Sequence, residues 1–207
     1  MLWRIILLFA AVSFVAHARD LSPEETRRVE ERFVRTQKST RTLRADFEQT
    51  IRLPGMRAPV VSRGEFLYRA PDDLRINFTE PAGDYLLLSG ETLEIVRGGK
   101  SPVRKPSTHL SAKALVALRN VLRGTPENTE GRMDRRISTA DGVFTVSITP
   151  VVRSARMPEK IENRVDADSL MLQTMTITLP YGGFMEFRFS HSRKNAPVDA
   201  DFFHMKS

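Results

Sequence analysis

The stretch VSRGEFLYRAPDDLRINFTEPAGDYLLLS, from Val61 to Ser89, decides the fold. Three runs of alternating apolar and polar residues are separated there by the turn sequences Ala70-Pro71-Asp72-Asp73 and Glu80-Pro81-Ala82-Gly83. Alternation with a period of two is typical of strands with one buried face, so the stretch predicts three antiparallel strands in a meander. Its apolar face either packs on a core or receives a ligand, and alternation leaves both interpretations open because each requires apolar residues.

Further alternating segments lie on both sides of this meander. Leu86 and Leu88 lead through a Ser89-Gly90 turn to Leu93 and Ile95, which predicts another hairpin. Pro102 and Pro106 favour irregular chain as far as residue 110, and residues 197–203 predict a last turn with a short apolar segment. The remaining predicted strands are Ala45–Leu53, Arg135–Thr139, Val143–Thr149, Glu159–Val165, Leu170–Leu179 and Phe184–Ser190. Roughly ten antiparallel strands at close spacing indicate a sheet that curls towards a barrel.

Two helices accompany the predicted strands. Ser22-Pro23-Glu24-Glu25 has the pattern of an N-cap and capping box, and the helix that it begins continues to about Lys38 with a narrow apolar stripe. Ser111 caps a second helix over Ala112–Arg123, and Gly124 follows it in the position of a left-handed C-cap. This second helix is apolar over more than half its circumference, so it is either covered on two sides or faces a cavity.

The first 18 residues have the pattern of a secretory signal peptide. Arg4 precedes an apolar run from Ile5 to Val15, and Ala16-His17-Ala18 provides an A-x-A cleavage site. The apolar run is shorter than the roughly 20 residues that a membrane-spanning helix needs, which disfavours an uncleaved anchor. We therefore expect cleavage before Arg19 and a single domain over residues 19–207.

Charge and cysteine content restrict the partners. The 207 residues include 32 Lys and Arg, 25 Asp and Glu and no cysteine, with a formal net charge of +7. A basic surface can attract nucleic acid, anionic lipid head groups or an acidic protein, or it can be an ordinary solvated surface. Export disfavours nucleic acid, so we expect no nucleic-acid partner. An exported chain without disulfides indicates a bacterial periplasm.

Sequence signatures of catalysis are missing. There is no G-x-S-x-G, no S-x-x-K and no cysteine nucleophile. The carboxylates of Asp72-Asp73 and of Asp166 and Asp168 lie in predicted turns, where aspartate usually bonds to its own backbone. Three histidines of the expected mature chain lack metal-ligand spacing; they are His109, His191 and His204. We expect no catalytic residue, no metal and no cofactor.

Several short motifs, in this order, resemble the LolA family of periplasmic lipoprotein carriers. Ala45-Asp46-Phe47-Glu48-Gln49 is similar to the family's A-x-F-x-Q motif, and Gly64–Pro71 to its glycine-led strand that ends at a proline. Thr79-Glu80-Pro81 resembles T-x-P, Leu88–Leu93 resembles D-G-x-x-L, and Val198–Phe202 resembles the closing segment. The similarity covers most of the expected mature chain.

This resemblance implies an α+β fold: an unclosed antiparallel β-barrel of about ten or eleven strands, with an N-terminal helix and a helical lid. It further implies a monomeric periplasmic carrier whose cargo is an acylated lipoprotein or a related lipid. An inner-membrane transporter would load the carrier, and an outer-membrane acceptor would unload it. Divergent relatives have been linked to other lipids or glycolipids, so both kinds of cargo stay open.

One position departs from the family pattern. In the better-known carriers an arginine directly precedes the proline that ends the second strand and helps to hold the lid. Here Ala70 occupies that position, and the arginine is one place earlier, at Arg69. A shift of one residue along a strand moves a side chain to the opposite face, so we do not assign the lid-holding role to Arg69.

The candidate acyl-chain site combines the apolar face of the predicted strands with the apolar helix. Flexible methionine side chains suit adaptable ligand surfaces as well as ordinary cores. The candidate residues are Phe47, Phe66, Tyr68, Leu74, Ile76, Phe78, Leu86, Leu88, Leu93, Ile95, Leu115, Leu118, Leu122, Met175 and Ile177. The alternative hypothesis is a regulatory or scaffolding domain of the same shape that binds another envelope protein without lipid transfer. An enzyme acting on a periplasmic lipid is the third and weakest hypothesis.

Overall fold

The computed structural model of the protein describes residues 18–80, 82–108, 112–124, 133–152 and 157–205. One antiparallel sheet contains the twelve strands found in these ranges. The strands are β1 (Arg19–Asp20), β2 (Thr42–Arg52), β3 (Val60–Arg69), β4 (Asp73–Phe78), β5 (Tyr85–Ser89), β6 (Thr92–Val96), β7 (Val103–Pro106), β8 (Met133–Ala140), β9 (Val143–Pro150), β10 (Lys160–Asp166), β11 (Leu172–Thr178) and β12 (Phe184–Lys194). Their order in the sheet is β1-β8-β9-β10-β11-β12-β2-β3-β4-β5-β6-β7. Because β1 and β7 lie at opposite ends of that order and do not pair, the sheet is an unclosed barrel, as the resemblance implies.

The first helix begins at its predicted capping box. The second helix ends at its predicted C-cap glycine but begins at Lys113, one residue later than predicted, after Ala112, which makes no side-chain capping bond. Helix α1 spans Pro23–Lys38, and at its start the Ser22 hydroxyl accepts from the Glu25 backbone N–H while the Glu25 carboxylate accepts from the Ser22 N–H. Helix α2 spans Lys113–Arg123 and ends at Gly124, which has a φ of 65°. That glycine is required twice over, because its conformation is left-handed and a Cβ there would lie 3.0 Å from the Gln37 Cβ of α1.

The register places alternate residues of neighbouring strands in rows across one face of the sheet. One such row joins Leu43, Tyr68, Leu74, Leu88 and Leu93 through successive Cα pairs from β2 to β6. A second row, two residues further along each strand, joins Ala45, Phe66, Ile76, Leu86 and Ile95. We call this side, which α2 covers, the inner face, and the opposite side the outer face.

A third row on the inner face depends on a glycine. Gly64 pairs with Phe47 on β2 and with Phe78 on β4, and the two phenylalanine rings meet edge to face with their centroids 5.9 Å apart. A Cβ on residue 64 would lie 1.8 Å from the Asn77 carbonyl oxygen and 2.9 Å from the Phe47 ring. The glycine therefore lets two aromatic rings pack across it, a favourable geometry for such a pair.

The structure corrects two local predictions. The prediction of irregular chain through Pro102 and Pro106 is wrong over Val103–Pro106, because this segment pairs with β6 as an edge strand. Proline is tolerated there, since an edge strand has one side that needs no ladder donor and Pro106 is its last residue. The two-residue strand β1 was not predicted at all. The expected signal peptide up to residue 17, the predicted Ser111 cap and His109 lie outside the described residues.

Candidate functional site

All fifteen candidate residues lie in or against one apolar cluster on the inner face. Twelve of them are buried members of the cluster, and Phe78, Leu86 and Ile95 pack on it while partly exposed. Strands β2 to β6 contribute the aromatic and aliphatic rows, β11 contributes Met175 and Ile177, and α2 contributes three leucines. Residues far apart in the sequence therefore form a continuous apolar surface with a helix laid over it.

The cluster also contains residues that were not assigned to the site. Leu43, Ala45, Ala112 and Phe187 are buried in it, and Phe189 packs against it. Phe187 and Phe189 lie on a predicted strand, and their alternation was the signal that could have placed them on the inner face. Leu43 fell outside the predicted strand Ala45–Leu53, which in the structure begins at Thr42.

Helix α2 covers the inner face with one apolar side. Leu115, Leu118 and Leu122 recur at intervals of three and four residues, so they form a single stripe, and all three are buried against the strands. Burial of a leucine side chain is worth about 1.5–3 kcal/mol. The stripe therefore supplies most of the attachment between the helix and the sheet.

Two arginines add polar contacts between α2 and the turns at the rim of the sheet. Arg119 Nη1 donates to the Gly90 carbonyl oxygen at 2.6 Å, in the β5–β6 turn. Arg123 Nη1 lies 3.2 Å from Asp72 Oδ1, in the β3–β4 turn, and both side chains of that pair are about one-third exposed. The cations that hold this helix thus belong to the helix itself, and their acceptors belong to the rim.

Arg69 lies on the outer face, as the shift of one residue predicts. Its Nη2 donates to Asp73 Oδ2 at 2.7 Å, and its guanidinium carbon lies 4.5 Å from the centroid of the Phe203 ring. It therefore contacts the C-terminal segment instead of α2.

The outer face has a smaller apolar cluster of its own. Leu67, Tyr85, Leu87 and Val96 from the strands are buried there against Phe203 of the C-terminal segment. That segment includes a short 3₁₀ helix over Ala200–Phe203, which the Asp199 side chain caps. The predicted turn and apolar segment at the C-terminus are therefore present, and they cover the side of the sheet opposite α2.

Polar groups surround this outer cluster. Glu94 is fully buried, and its two carboxylate oxygens accept from the Tyr85 hydroxyl at 2.7 Å and from Arg104 Nε at 3.0 Å. Burial, followed by the hydrogen bond to Glu94, raises the pKa of Tyr85 to about 12. Arg75 stacks on the Tyr85 ring at 3.9 Å and donates to the Phe202 carbonyl oxygen at 2.7 Å. The C-terminal segment is therefore held by charge as well as by apolar contact.

A hollow of about 620 Å³ lies where β12, β2 and β3 adjoin. It is lined by side chains of both charge signs, among them Asp46, Glu48, Arg63 and Arg188. Arg63 Nη2 already contacts Glu48 Oε2 at 2.7 Å, so part of this charge is neutralised locally. Phe47 and Phe189 of the inner-face cluster also line the hollow, so it joins the apolar surface to charged groups.

The described part of the chain contains no group of three or more His, Cys, Asp or Glu side chains able to hold a metal ion. No helix within those same ranges has the length and apolar character needed to cross a membrane.

Comparisons with known proteins agree with this architecture. Solved structures with the same fold include a DUF1329 family protein from Desulfovibrio piger, with a TM-score of 0.51 and 12% identity over 86% of this chain and 96% of that one. They also include MucB, with a TM-score of 0.55 and 16% identity over 89% of this chain and 64% of MucB. MucB in complex with MucA(peri) gives a TM-score of 0.51 and 14% identity, over 87% of this chain and 60% of that one.

A sequence search among curated proteins found no match. The family model for LolA, described as the outer membrane lipoprotein carrier protein, matches residues 38–206, which is most of the chain. The matched range contains all twelve strands except β1, and it contains α2 and the whole inner face. The chain therefore belongs to the LolA family of outer membrane lipoprotein carrier proteins.

Proposed function

We propose that this protein is a soluble periplasmic carrier that binds acyl chains on its inner face and moves their lipoprotein or lipid from the inner to the outer membrane. The observation that carries the proposal is the apolar cluster formed by all fifteen candidate residues under α2. In the structure α2 closes over this cluster, so the helix acts as a lid and has to move when cargo enters.

The energetics favour exchange of the lid for cargo. Removing three leucines from the sheet would cost roughly 5–9 kcal/mol at about 1.5–3 kcal/mol each. Burying one acyl chain of about sixteen carbons would gain on the order of 12 kcal/mol, at about 0.8 kcal/mol per methylene. An acyl chain can therefore replace the contacts of α2.

Release requires a partner that offers the acyl chains a better apolar site. We propose that an inner-membrane transporter loads the carrier and that an outer-membrane acceptor unloads it, with the carrier itself a monomer. A cleaved signal peptide over residues 1–18 would deliver the single domain over residues 19–207 to the periplasm. Neither a cofactor nor a catalytic residue is needed in this scheme, because binding and transfer involve no covalent step.

Native mass spectrometry of protein purified from its own periplasm tests the proposal, together with uptake of a fluorescent fatty acid. We expect a bound acylated molecule in the first measurement and saturable uptake in the second. Ile76→Glu should abolish uptake because it puts a charge in the middle of the inner face. Leu86→Glu should also abolish uptake. Because Leu86 is partly exposed, this variant should disturb folding less than Ile76→Glu does.

Val61→Glu provides the matched control for both variants. Val61 is exposed and lies at an outer-face position of β3, so the same charge should leave uptake unchanged. Absence of any bound lipid, combined with uptake that Leu86→Glu leaves intact, would contradict the carrier function.

A second candidate function is regulatory binding of another envelope protein. It is supported by the likeness in fold to MucB, which has been solved in complex with MucA(peri). This function predicts an inner face that stays filled by its own side chains and a protein partner recovered in place of lipid. Pull-down from the native periplasm, followed by lipid extraction of the same sample, separates the two functions.

A further inference from the structure

Arg119 is a buried cation that forms no ion pair within the described ranges of the chain. Its side chain lies at the junction of α2 with the β5–β6 turn, and the residue is only 5% exposed. Nη1 donates to the Gly90 carbonyl oxygen, but Nε has no hydrogen-bond partner. Burying a guanidinium is costly unless it is paired, so this arrangement is incomplete on physical grounds.

The carboxylates at the same rim are engaged elsewhere. Asp72 pairs with Arg123, and Asp73 pairs with Arg69 and accepts from the Ser89 hydroxyl. Glu91 accepts from the Ser107 hydroxyl. Among the described residues, therefore, no carboxylate forms an ion pair with Arg119.

A buried hydroxyl belongs to the inner-face row that ends at the β5–β6 turn. Tyr68 pairs with Leu74, Leu74 pairs with Leu88, and Leu88 and Leu93 lie on either side of Gly90. The Tyr68 hydroxyl has a long contact of 3.5 Å to the Pro71 carbonyl oxygen. Burial raises the pKa of Tyr68; among the charges around it, Arg123 and Arg119 lower the pKa, and Asp72 and Asp73 raise it. The hydroxyl stays protonated at neutral pH and can donate.

We propose that Arg119 and the Tyr68 hydroxyl bind the anionic head group, a carboxylate or a phosphate, of an amphiphile whose hydrocarbon chain lies on the inner face. Leu88 and Leu93 flank the Gly90 turn and belong to the same apolar cluster as the α2 leucines. The hydrocarbon chain of the amphiphile can therefore lie on this cluster while its head group contacts Arg119. An arriving anion would supply the charged partner that the buried guanidinium lacks, and the surrounding low dielectric would strengthen that pair.

This inference rests on the proposed carrier function and narrows its cargo. The acylated terminus of a mature lipoprotein is joined through ester, amide and thioether groups, which carry no charge. A site that favours an anion therefore favours a free anionic lipid over a fully acylated lipoprotein.

Displacement of a bound neutral fluorescent probe, phenylnaphthylamine, tests the head-group preference on the intact protein. Oleate, oleoyl lysophosphatidic acid and methyl oleate share one chain and differ in charge. We expect at least one of the two anions to displace the probe at about tenfold lower concentration than methyl oleate does. Comparing oleate with oleoyl lysophosphatidic acid shows whether the site prefers a carboxylate or a phosphate. Arg119→Met should reduce that ratio to about one while methyl oleate still binds. Arg119→Lys should keep part of the preference, and Tyr68→Phe should weaken it several-fold.

Arg164→Met is the matched control, because Arg164 is an exposed arginine on the outer face of β10, and it should leave the preference unchanged. Arg119→Met should not lower the thermal unfolding midpoint appreciably, since an unpaired buried charge is replaced by an apolar chain of similar length. The anion site is overturned if methyl oleate displaces the probe as well as the two anions do, or if the preference for the anions survives Arg119→Met. Either result would still be compatible with the carrier function. If neither methyl oleate nor the two anions displace the probe, both the anion site and the carrier function are overturned.

Discussion

The two faces of the sheet are both apolar and both covered, yet the covers are attached in different ways. On the inner face, α2 is held by a stripe of leucines, by Arg119 and by an Arg123–Asp72 pair that is partly exposed to water. On the outer face, the C-terminal segment inserts Phe203 into the strands, and two arginines, Arg69 and Arg75, stack on aromatic rings around it.

Under the proposed carrier function, the outer cover stays in place and the inner cover leaves when cargo binds. The cation–π contact of Arg69 with Phe203 and the hydrogen bond from Arg75 to the Phe202 carbonyl oxygen are directional, so they fix the outer cover in one position. Leucine contacts are non-directional, and an acyl chain can replace them with little loss. The same sheet can therefore keep a rigid outer side while its inner side exchanges one apolar occupant for another.

Phe203→Ala should have the largest effect on stability, because it removes the ring that fills the outer cluster. We expect the free energy of unfolding to fall by about 3–5 kcal/mol, as is typical for a buried phenylalanine. Urea denaturation measures the loss, and fatty-acid uptake per folded molecule should not change. A loss below about 1 kcal/mol would mean that the C-terminal segment contributes little to the fold.

Leu118→Ala makes the corresponding change in the inner cover. We expect a smaller loss, about 2 kcal/mol, because α2 can shift as a whole towards the sheet and partly close the gap. Uptake of a fluorescent fatty acid should become faster, since the lid now opens at lower cost. If uptake kinetics do not change and the unfolding free energy falls as much as in Phe203→Ala, α2 would be a fixed cover like the C-terminal segment.

High pH should weaken the outer side through Tyr85. The pKa of Tyr85 is raised from 10 to about 12, so the folded state holds this proton more tightly than the unfolded state does. Its contribution to stability is therefore complete below pH 10 and is lost as the pH rises through 12. Tyr85→Phe should flatten the fall in unfolding free energy over that interval, whereas Tyr181→Phe, at an exposed tyrosine, should not.

Asp72→Asn should have the smallest effect. The Arg123–Asp72 pair is partly exposed, so its loss should cost at most about 1 kcal/mol. Hydrogen exchange of the α2 amides should nevertheless become several-fold faster, with no change in the amides of β4 and β5. Faster exchange in the strands as well would indicate global destabilisation instead of easier lid opening.

Much of the inner face could be predicted from the period-two pattern. Phe66, Ile76 and Leu86 lie on three successive strands, and turn sequences show where each of these strands ends. The alternation along the predicted strand could have placed Phe187 on the inner face, but not beside its partners on β2 and β11, because that register is set by contacts far apart in the chain. Local patterns do not encode such pairings.

The outer side was less accessible to sequence reasoning. The C-terminal turn was predicted, but not the face on which Phe203 packs, since that depends on a gap between strands that only the assembled sheet creates. The surroundings of Arg119 are a similar case, because an arginine on a helix is usually exposed to solvent. Only the placement of α2 against the Gly90 turn shows that this arginine is buried.

The central claim is that α2 must leave the inner face for cargo to enter, and the cysteine-free chain allows a direct test. Asp72→Cys and Arg123→Cys, joined by a short bis-maleimide, tie the helix to the β3–β4 turn, and the two singly substituted, alkylated proteins serve as controls. We predict that the cross-linked protein stays folded and takes up no fluorescent fatty acid, while both controls, which have lost the Arg123–Asp72 pair, take it up at least as fast as the wild type does. Uptake by the cross-linked protein at the wild-type rate would contradict the account.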